Sequence, residues 1–269
     1  MTESLRLMMV FAHPDDESLG TGTTLAKYAA EGVETYVLTA TRGQRGYRGL
    51  PSPDPGLEAF GRYREAELRA AVQVLGVREL ILLDYMDGDL DQADAGEAAR
   101  TIAAHLRRVR PQVVVTFGPE GAYGHPDHIA ISQLTTAAIV LAAGPAPEDG
   151  PPPHAVSKLY YLADSKSLLE AYNRTFPALQ IEVDGVTRRW VGWDEWAITT
   201  VIDADAYWQQ ACRAIDCHRS QLVGMEGFAA TLEAEHTLLV GCQGYYRAMS
   251  LVNGGRERET DLFAGLREG

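Results

Sequence analysis

The sequence predicts an α/β protein with a Rossmann-like, mostly parallel sheet flanked by helices, and with additional strands and helices in its C-terminal part. Apolar runs alternate with helical patterns through the first 130 residues, which indicates βαβ units. The first run, residues 5–11, has no charge after Arg6. Such a run is typical of a strand that is buried on both faces of a parallel sheet.

The N-terminal elements follow in order from these patterns. The predicted strands are residues 5–11, 33–40, 80–84 and 113–117, and the predicted helices are residues 18–30, 58–75 and 95–109. Gly76 ends the second helix, and the third ends before Pro111. In the common strand order 3-2-1-4, strands one and four are neighbours, so their carboxyl ends form the crevice where open α/β sheets bind ligands.

Two glycines in the first helix, Gly20 and Gly22, invite comparison with a dinucleotide-binding fingerprint. The third glycine of that fingerprint is absent, and the pair lies inside the helix and not before it. We therefore interpret the two glycines as positions of close helix packing.

The C-terminal part is less regular. Residues 144–156 form a loop rich in proline and glycine, and strands are predicted at residues 158–162, 179–183, 197–202 and 245–251. Asp203 is the predicted cap of a helix over residues 208–218. We predict a single domain, residues 1–269, in which residues 1–143 form the core and residues 157–269 complete the fold.

Composition restricts the partners and the compartment. The formal net charge is −13 and no Lys/Arg-rich run offsets it, so nucleic acid and anionic membrane surfaces are not expected to bind. The sequence has neither an apolar run of about 18 residues nor a signal-peptide pattern. Its three cysteines fit no disulfide framework. These features predict a cytoplasmic protein with a small-molecule substrate.

Two polar clusters follow predicted strands one and four: His13-Pro14-Asp15-Asp16-Glu17 and His125-Pro126-Asp127-His128. Each cluster alone could be a set of helix caps, but two clusters at converging strand ends indicate a shared divalent metal ion. The spacing of His13 and Asp16 suits one ion. Asp15 is adjacent to Asp16 and must point elsewhere, which suits a general base. Of the two histidines in the second cluster, one is expected to complete the ligand set and the other to reach the substrate.

These motifs resemble those of the LmbE/PIG-L family of metal-dependent de-N-acetylases. Further similar stretches are Arg64-Glu-Ala-Glu-Leu68, Leu75-Gly-Val77 and His218-Arg-Ser-Gln221. The resemblance implies removal of an acetyl group from an N-acetylglucosamine-type conjugate, with thiol-conjugate amidase activity as the alternative within the family. Relatives of this fold often form homo-oligomers, which is compatible with a homo-oligomer here.

The resemblance also assigns roles to residues. It implies the metal ligands His13, Asp16 and His128, with Asp15 as the base. It implies that His125 stabilises the oxyanion as an imidazolium, with Asp127 orienting it and favouring its protonated form. It further places Arg64, Asp87 and Tyr123 at the substrate. The alternatives for these three are an exposed helix charge, a turn residue before Gly88 and a packed loop aromatic, respectively.

Zinc is the expected metal, and ferrous iron is a second candidate because two histidines and one carboxylate also bind it. The same donor set makes a non-haem iron oxygenase the main rival from another class. A relative that binds metal without catalysis is a second rival. The α/β pattern and the additional aspartate favour the hydrolase.

Overall fold

The computed structural model describes residues 4–146, 150–175, 180–183, 185–225, 228–255 and 257–267. Within these ranges the strands are β1 (Arg6–Phe11), β2 (Glu34–Thr41), β3 (Glu79–Tyr85), β4 (Val113–Thr116), β5 (Lys158–Leu162), β6 (Gln180–Val183), β7 (Val186–Arg189), β8 (Thr200–Asp203) and β9 (Cys242–Ser250). The helices are α1 (Asp16–Ala30), α2 (Leu57–Val74), α3 (Ala95–Val109), α4 (Gly121–Gly124), α5 (Pro126–Ala143), α6 (Lys166–Thr175), α7 (Trp208–Ile215), α8 (Phe228–Ala234) and α9 (His236–Leu239).

The central sheet has the strand order β3-β2-β1-β4-β5-β9-β8, and its first five strands are parallel. This confirms the predicted fold class and the 3-2-1-4 order. Residues 7–11 of β1 are fully buried, as expected for a central strand covered on both faces. Because β1 pairs with β4 in register Leu7↔Val113 to Met9↔Val115, the loops after these two strands lie side by side.

The C-terminal strands extend the same sheet. β9 is antiparallel to both β5 and β8, so the sheet is mixed at this edge. A buried carboxylate, Glu259, joins this region together, because it accepts hydrogen bonds from Lys158 and Tyr160 of β5 and from Thr200 of β8. The division into a core, a loop and an extension stays a prediction.

The sequence pattern located several C-terminal elements wrongly or missed them. The hairpin strand β7 and the helices α6, α8 and α9 were not predicted, and residue 179 of the predicted strand 179–183 lies outside the described residues. The predicted strand 197–202 begins only at Thr200, where pairing with Tyr245 of β9 sets its register. The Asp203 carboxylate accepts the amide of Asp205, but α7 begins only at Trp208, after Tyr207, so the predicted role of Asp203 as the cap of that helix is wrong.

Helix α1 approaches its neighbours closely at its two glycines. A Cβ atom at Gly20 would lie 3.2 Å from Leu162 of β5, and one at Gly22 would lie 3.1 Å from Ala211 of α7. This agrees with close packing and not with a nucleotide loop. None of the helices in the described part of the chain is long and apolar enough to cross a membrane.

Candidate active site

The two polar clusters meet at the carboxyl ends of β1 and β4. Nδ1 of His13 lies 3.1 Å from Nε2 of His128, although the two residues are 115 positions apart in the sequence. The ring of His125 also lies close, with its centroid 4.7 Å from that of His13. The predicted convergence of the two loops is therefore observed, and it follows from the parallel pairing of the two strands.

Three donor groups at this point have the spacing of a metal site. Besides the two facing imidazole nitrogens, Asp16 places one carboxylate oxygen 3.5 Å from Nε2 of His128 and the other 3.8 Å from Nδ1 of His13. Zinc–ligand bonds of about 2.0–2.1 Å separate tetrahedral ligands by about 3.3 Å. Oδ1 of Asp16 is the oxygen near His128 and Oδ2 the one nearer His13, so the three groups are a candidate ligand set for one divalent cation.

Local backbone structure fixes Asp16 in this arrangement. Its Oδ2 accepts hydrogen bonds from the amides of Ala12 and His13, at 3.2 and 2.8 Å, which leaves Oδ1 directed at His128. Burial raises the pKa of Asp16 to about 7, and the neighbouring Asp15 adds to this while His13 opposes it. A cation beside Asp16 would remove this penalty on its charged form.

The far nitrogen of His13 is held by two carboxylates. Nε2 lies 3.1 Å from Oδ2 of Asp127 and 3.1 Å from Oδ1 of Asp87. Burial alone would lower the pKa of His13, but these two hydrogen bonds outweigh it and raise the pKa to about 10. Burial and the charge of His13 lower the pKa of His128 well below its usual value. The position between the two imidazoles thus favours a positive charge, whether a proton or a metal ion.

The surroundings of His125 do not favour the predicted imidazolium, and its role at the oxyanion stays a prediction. Burial and the charge of His13 lower the pKa of His125 to about 4, despite the opposing charges of Asp127 and Asp87, which favours the neutral form of the ring. His125 is the N-cap of α5, and its Nδ1 accepts a hydrogen bond from the backbone amide of Asp127 at 3.1 Å. The neutral ring therefore carries its proton on Nε2 and can donate it to a ligand.

The expectation that the Asp127 carboxylate orients His125 is wrong. This fully buried carboxylate accepts hydrogen bonds from His13 and from the amides of Gly88 and Leu90. The physical reason is the direction of the first turn of α5, which turns the Asp127 side chain toward the loop after β3. Asp127 thus contacts the histidine of the other cluster.

Asp15 and Asp16 diverge, as their adjacency requires. Oδ2 of Asp15 lies 3.3 Å from Nη2 of Arg64, and Asp15 adopts a left-handed backbone conformation with φ 106°. Arg64 also donates to the carbonyls of Pro14 and Gly43, and it is 3% exposed. The alternative that Arg64 is an exposed helix charge is therefore wrong.

The other two predicted substrate residues differ in their surroundings. Asp87 is buried, and besides contacting His13 it accepts a hydrogen bond from the amide of Arg45. Tyr123 is half-buried, and its ring lies 5.8 Å from that of His125 and 5.2 Å from that of His128. Tyr123 therefore borders the same crevice as the two histidines.

The sequence analysis did not predict two features next to the crevice, the β6–β7 hairpin and a buried Glu17–His218 pair. The hairpin β6–β7 brings Arg188 to the carbonyl of Gly124 and Trp190 to within 4.6 Å of Tyr123, measured between ring centroids. Below the site, Glu17 and His218 form a buried hydrogen-bonded pair. Glu17 lies in the first polar cluster and His218 in the stretch His218-Arg-Ser-Gln221. The two are 201 positions apart, and the only sequence signal that links them is that both stretches resemble the same family.

Comparisons with known proteins identify relatives of this chain. The profile of the PIG-L family, described as GlcNAc-PI de-N-acetylase, matches residues 8–139. A 1D-myo-inositol 2-acetamido-2-deoxy-alpha-D-glucopyranoside deacetylase from Streptomyces avermitilis is 37% identical, over 97% of each chain.

Two solved structures show the same fold. The conserved protein TT1542 from Thermus thermophilus superposes with a TM-score of 0.64 at 29% identity, covering 93% of this chain and 97% of that one. The 4-carboxy-2-hydroxymuconate hydratase GalB from Pseudomonas putida KT2440 gives 0.69 at 18% identity, with 93% and 99% covered, and so shares the fold alone. On the matches to its profile and to the Streptomyces enzyme, the chain belongs to the PIG-L family of de-N-acetylases.

Proposed function

We propose that this protein is a metal-dependent hydrolase that removes the acetyl group from an N-acetylglucosamine conjugate. The observation that carries the proposal is the convergence of three donor groups, from His13, Asp16 and His128, beside the separate carboxylate of Asp15. A structural metal site usually has four protein ligands, whereas a hydrolytic site keeps one position open. Family membership and the named activity of the Streptomyces relative support the same reaction.

The proposed ligands are His13 Nδ1, His128 Nε2 and an Asp16 oxygen. The ring nitrogens of His13, His125 and His128 also lie within 4.8 Å of one another and offer an alternative set. We disfavour that set because His125 Nδ1 already accepts the Asp127 amide, which places the ring hydrogen on Nε2. His13, Asp87 and Asp127 form another close group, but there the two carboxylates share Nε2 of His13 and suit a supporting role.

We propose zinc as the metal, with ferrous iron as the alternative, because both accept two imidazoles and one carboxylate. When bound, such an ion supplies a water molecule of lowered pKa and polarises the amide carbonyl.

The protein groups then carry the proton transfers. Asp15 takes a proton from the attacking water, and Arg64 holds its carboxylate in place. His125 donates its Nε2–H to the oxygen that becomes negative when the carbonyl carbon is attacked. Asp15 returns the proton to the departing nitrogen. One water and one amide thus give acetate and a free amine.

The proposed substrate is an N-acetylglucosaminyl conjugate such as the inositol glycoside named for the Streptomyces relative. Tyr123 is proposed to line the sugar subsite, since its ring borders both histidines of α5. Arg64 and Asp87 are proposed to act on the substrate through Asp15 and His13, which they contact. The three cysteines are all free, which supports the proposed cytoplasmic location.

The test is release of free amine and acetate from the inositol glycoside and from N,N′-diacetylchitobiose. Protein is stripped with a chelator and reloaded with Zn²⁺ or, without oxygen, with Fe²⁺. Equal amounts of amine and acetate in the absence of oxygen are the expected result. Turnover that requires oxygen, or no hydrolysis of either substrate by loaded protein, would contradict the proposal.

A further inference from the structure

The backbone of Asp15 needs support that its own side chain does not provide. Its φ of 106° and ψ of −25° lie in a left-handed region that residues with a Cβ atom rarely adopt. The Asp15 side chain makes no capping hydrogen bond to α1, although its carbonyl accepts from the amides of Ser18 and Leu19. Such a conformation persists only where surrounding contacts hold it.

Glu17 provides one of those contacts. Its Oε2 accepts a hydrogen bond from the backbone amide of Asp15 at 3.0 Å, and Glu17 is completely buried. The bond constrains the peptide unit that leads into Asp15, and thereby the direction in which the Asp15 carboxylate leaves the chain. Glu17 itself lies one residue beyond the proposed ligand Asp16 and contacts neither His13 nor His128 among the described hydrogen bonds.

His218 in turn holds Glu17. Its Nε2 lies 2.8 Å from Oε1 of Glu17, which also accepts a hydrogen bond from the hydroxyl of Ser18. His218 is 1% exposed and follows α7, in the part of the chain after residue 157. A buried carboxylate without partners is strongly disfavoured, so the hydrogen bond from His218 satisfies Glu17 and holds it in place.

We propose that Glu17 and His218 are a positioning pair that fixes the orientation of Asp15, so that the C-terminal part of the chain sets the geometry of the general base. The inference rests on the proposed function of Asp15. Neither residue touches the substrate; His218 acts through Glu17, and Glu17 acts through the backbone of Asp15.

The same segment contains a matched control. Two residues after His218, the fully buried Ser220 donates to Glu67 of α2 through both its amide, at 2.8 Å, and its hydroxyl, at 2.6 Å. This pair ties the segment to α2 without contacting Asp15. Ser220→Ala therefore removes a buried hydrogen bond of the same segment while leaving the Glu17–Asp15 bond intact.

The experiment compares His218→Leu, His218→Gln and Ser220→Ala in the zinc-loaded full-length protein. Leucine removes the donor to Glu17, whereas a glutamine amide can restore it. We expect His218→Leu to lower kcat about 10- to 100-fold, as misplacement of a catalytic group does, with KM within about twofold and with unchanged zinc content. His218→Gln should recover most of the lost kcat, and Ser220→Ala should keep the kcat of the wild type.

A second readout does not depend on activity. Hydrogen exchange of the peptide that contains Asp15 should accelerate in His218→Leu and not in Ser220→Ala. Equal kcat in His218→Leu and wild type, or equal loss in all three variants, would overturn the positioning role. If the wild type releases no acetate, the proposed function fails. The exchange comparison between His218→Leu and Ser220→Ala then still tests whether His218 holds the Asp15 backbone. If His218→Leu does not fold, His218→Asn replaces it, because its shorter side chain withdraws the donor from Glu17, and unchanged kcat and exchange there would overturn the proposal.

Discussion

Oδ2 of Asp127 lies 3.1 Å from Nε2 of His13, so a carboxylate from the second cluster holds an imidazole of the first. Outer carboxylates of this kind typically contribute 10- to 100-fold to metal affinity. We expect Asp127→Asn to weaken zinc binding by about that factor, because asparagine carries no negative charge and its NH2 group must face either the His13 and Gly88 donors or the Leu90 amide. Competition with a chromophoric chelator measures the affinity.

The control for this prediction is Asp89→Asn. Asp89 lies on the loop after β3 whose Gly88 and Leu90 amides donate to Asp127, but its own side chain pairs at the surface with Arg45. Its substitution should leave the zinc affinity unchanged. Equal affinities in Asp127→Asn and the wild type would show that the carboxylate does not support His13.

Replacement of Asp15 tests its role as the general base separately from metal binding. Asparagine has nearly the same shape and tolerates the left-handed conformation at this position, but it cannot accept the proton. Because general-base catalysis typically contributes 10²- to 10⁴-fold, Asp15→Asn should lower kcat by about that factor. Metal analysis by atomic absorption should find the wild-type zinc content. A variant with normal zinc and normal kcat would refute the assignment of Asp15.

His125 is expected to act as a neutral donor to the oxyanion. Removing one such donor usually costs about 10²- to 10³-fold in kcat. We therefore expect His125→Ala to lose kcat by this factor and to keep its zinc, since His125 is not one of the proposed ligands. Loss of zinc from His125→Ala, measured in the same way, would instead favour the three-histidine ligand set.

Acid should weaken the C-terminal edge of the sheet through Glu259. Burial opposes its ionisation, but hydrogen bonds from Lys158 and Tyr160, with help from Asn253 and Arg247, lower its pKa to about 2 from an ordinary value of 4.5. Because the pKa of Glu259 is lower in the folded state than its ordinary value, its ionised form stabilises the folded state above pH 4.5. This stabilisation disappears as the pH falls toward 2.

Removing one partner of a buried ion pair typically costs about 3–5 kcal/mol, so Glu259→Gln should lower the free energy of unfolding at pH 7 by about that amount. It should also flatten the decline in stability as the pH falls from 4.5 toward 2. Urea denaturation across this range measures both effects. Glu79→Gln, which breaks an exposed pair with Arg108, should change the free energy of unfolding by less than about 1 kcal/mol. Equal changes in the free energy of unfolding for Glu259→Gln and Glu79→Gln would contradict a stabilising role of the buried Glu259.

Much of the core was predictable because its patterns are local. Helix α3 begins and ends where the sequence indicates. The C-terminal elements were harder to predict, since their limits depend on pairing between distant strands. Thr200 opens β8 because it is aligned with Tyr245 of β9, and no pattern near Thr200 contains that information.

For the site, the sequence by itself determined which residues meet, because polar clusters that follow neighbouring parallel strands must share one edge of the sheet. Only the tertiary structure decided how their side chains are paired. Successive residues in a helix point about 100° apart, so Asp127 and His128 face different partners although they are adjacent. Asp127 holds His13 and His218 reaches Glu17, since each contact depends on how distant segments pack around the crevice.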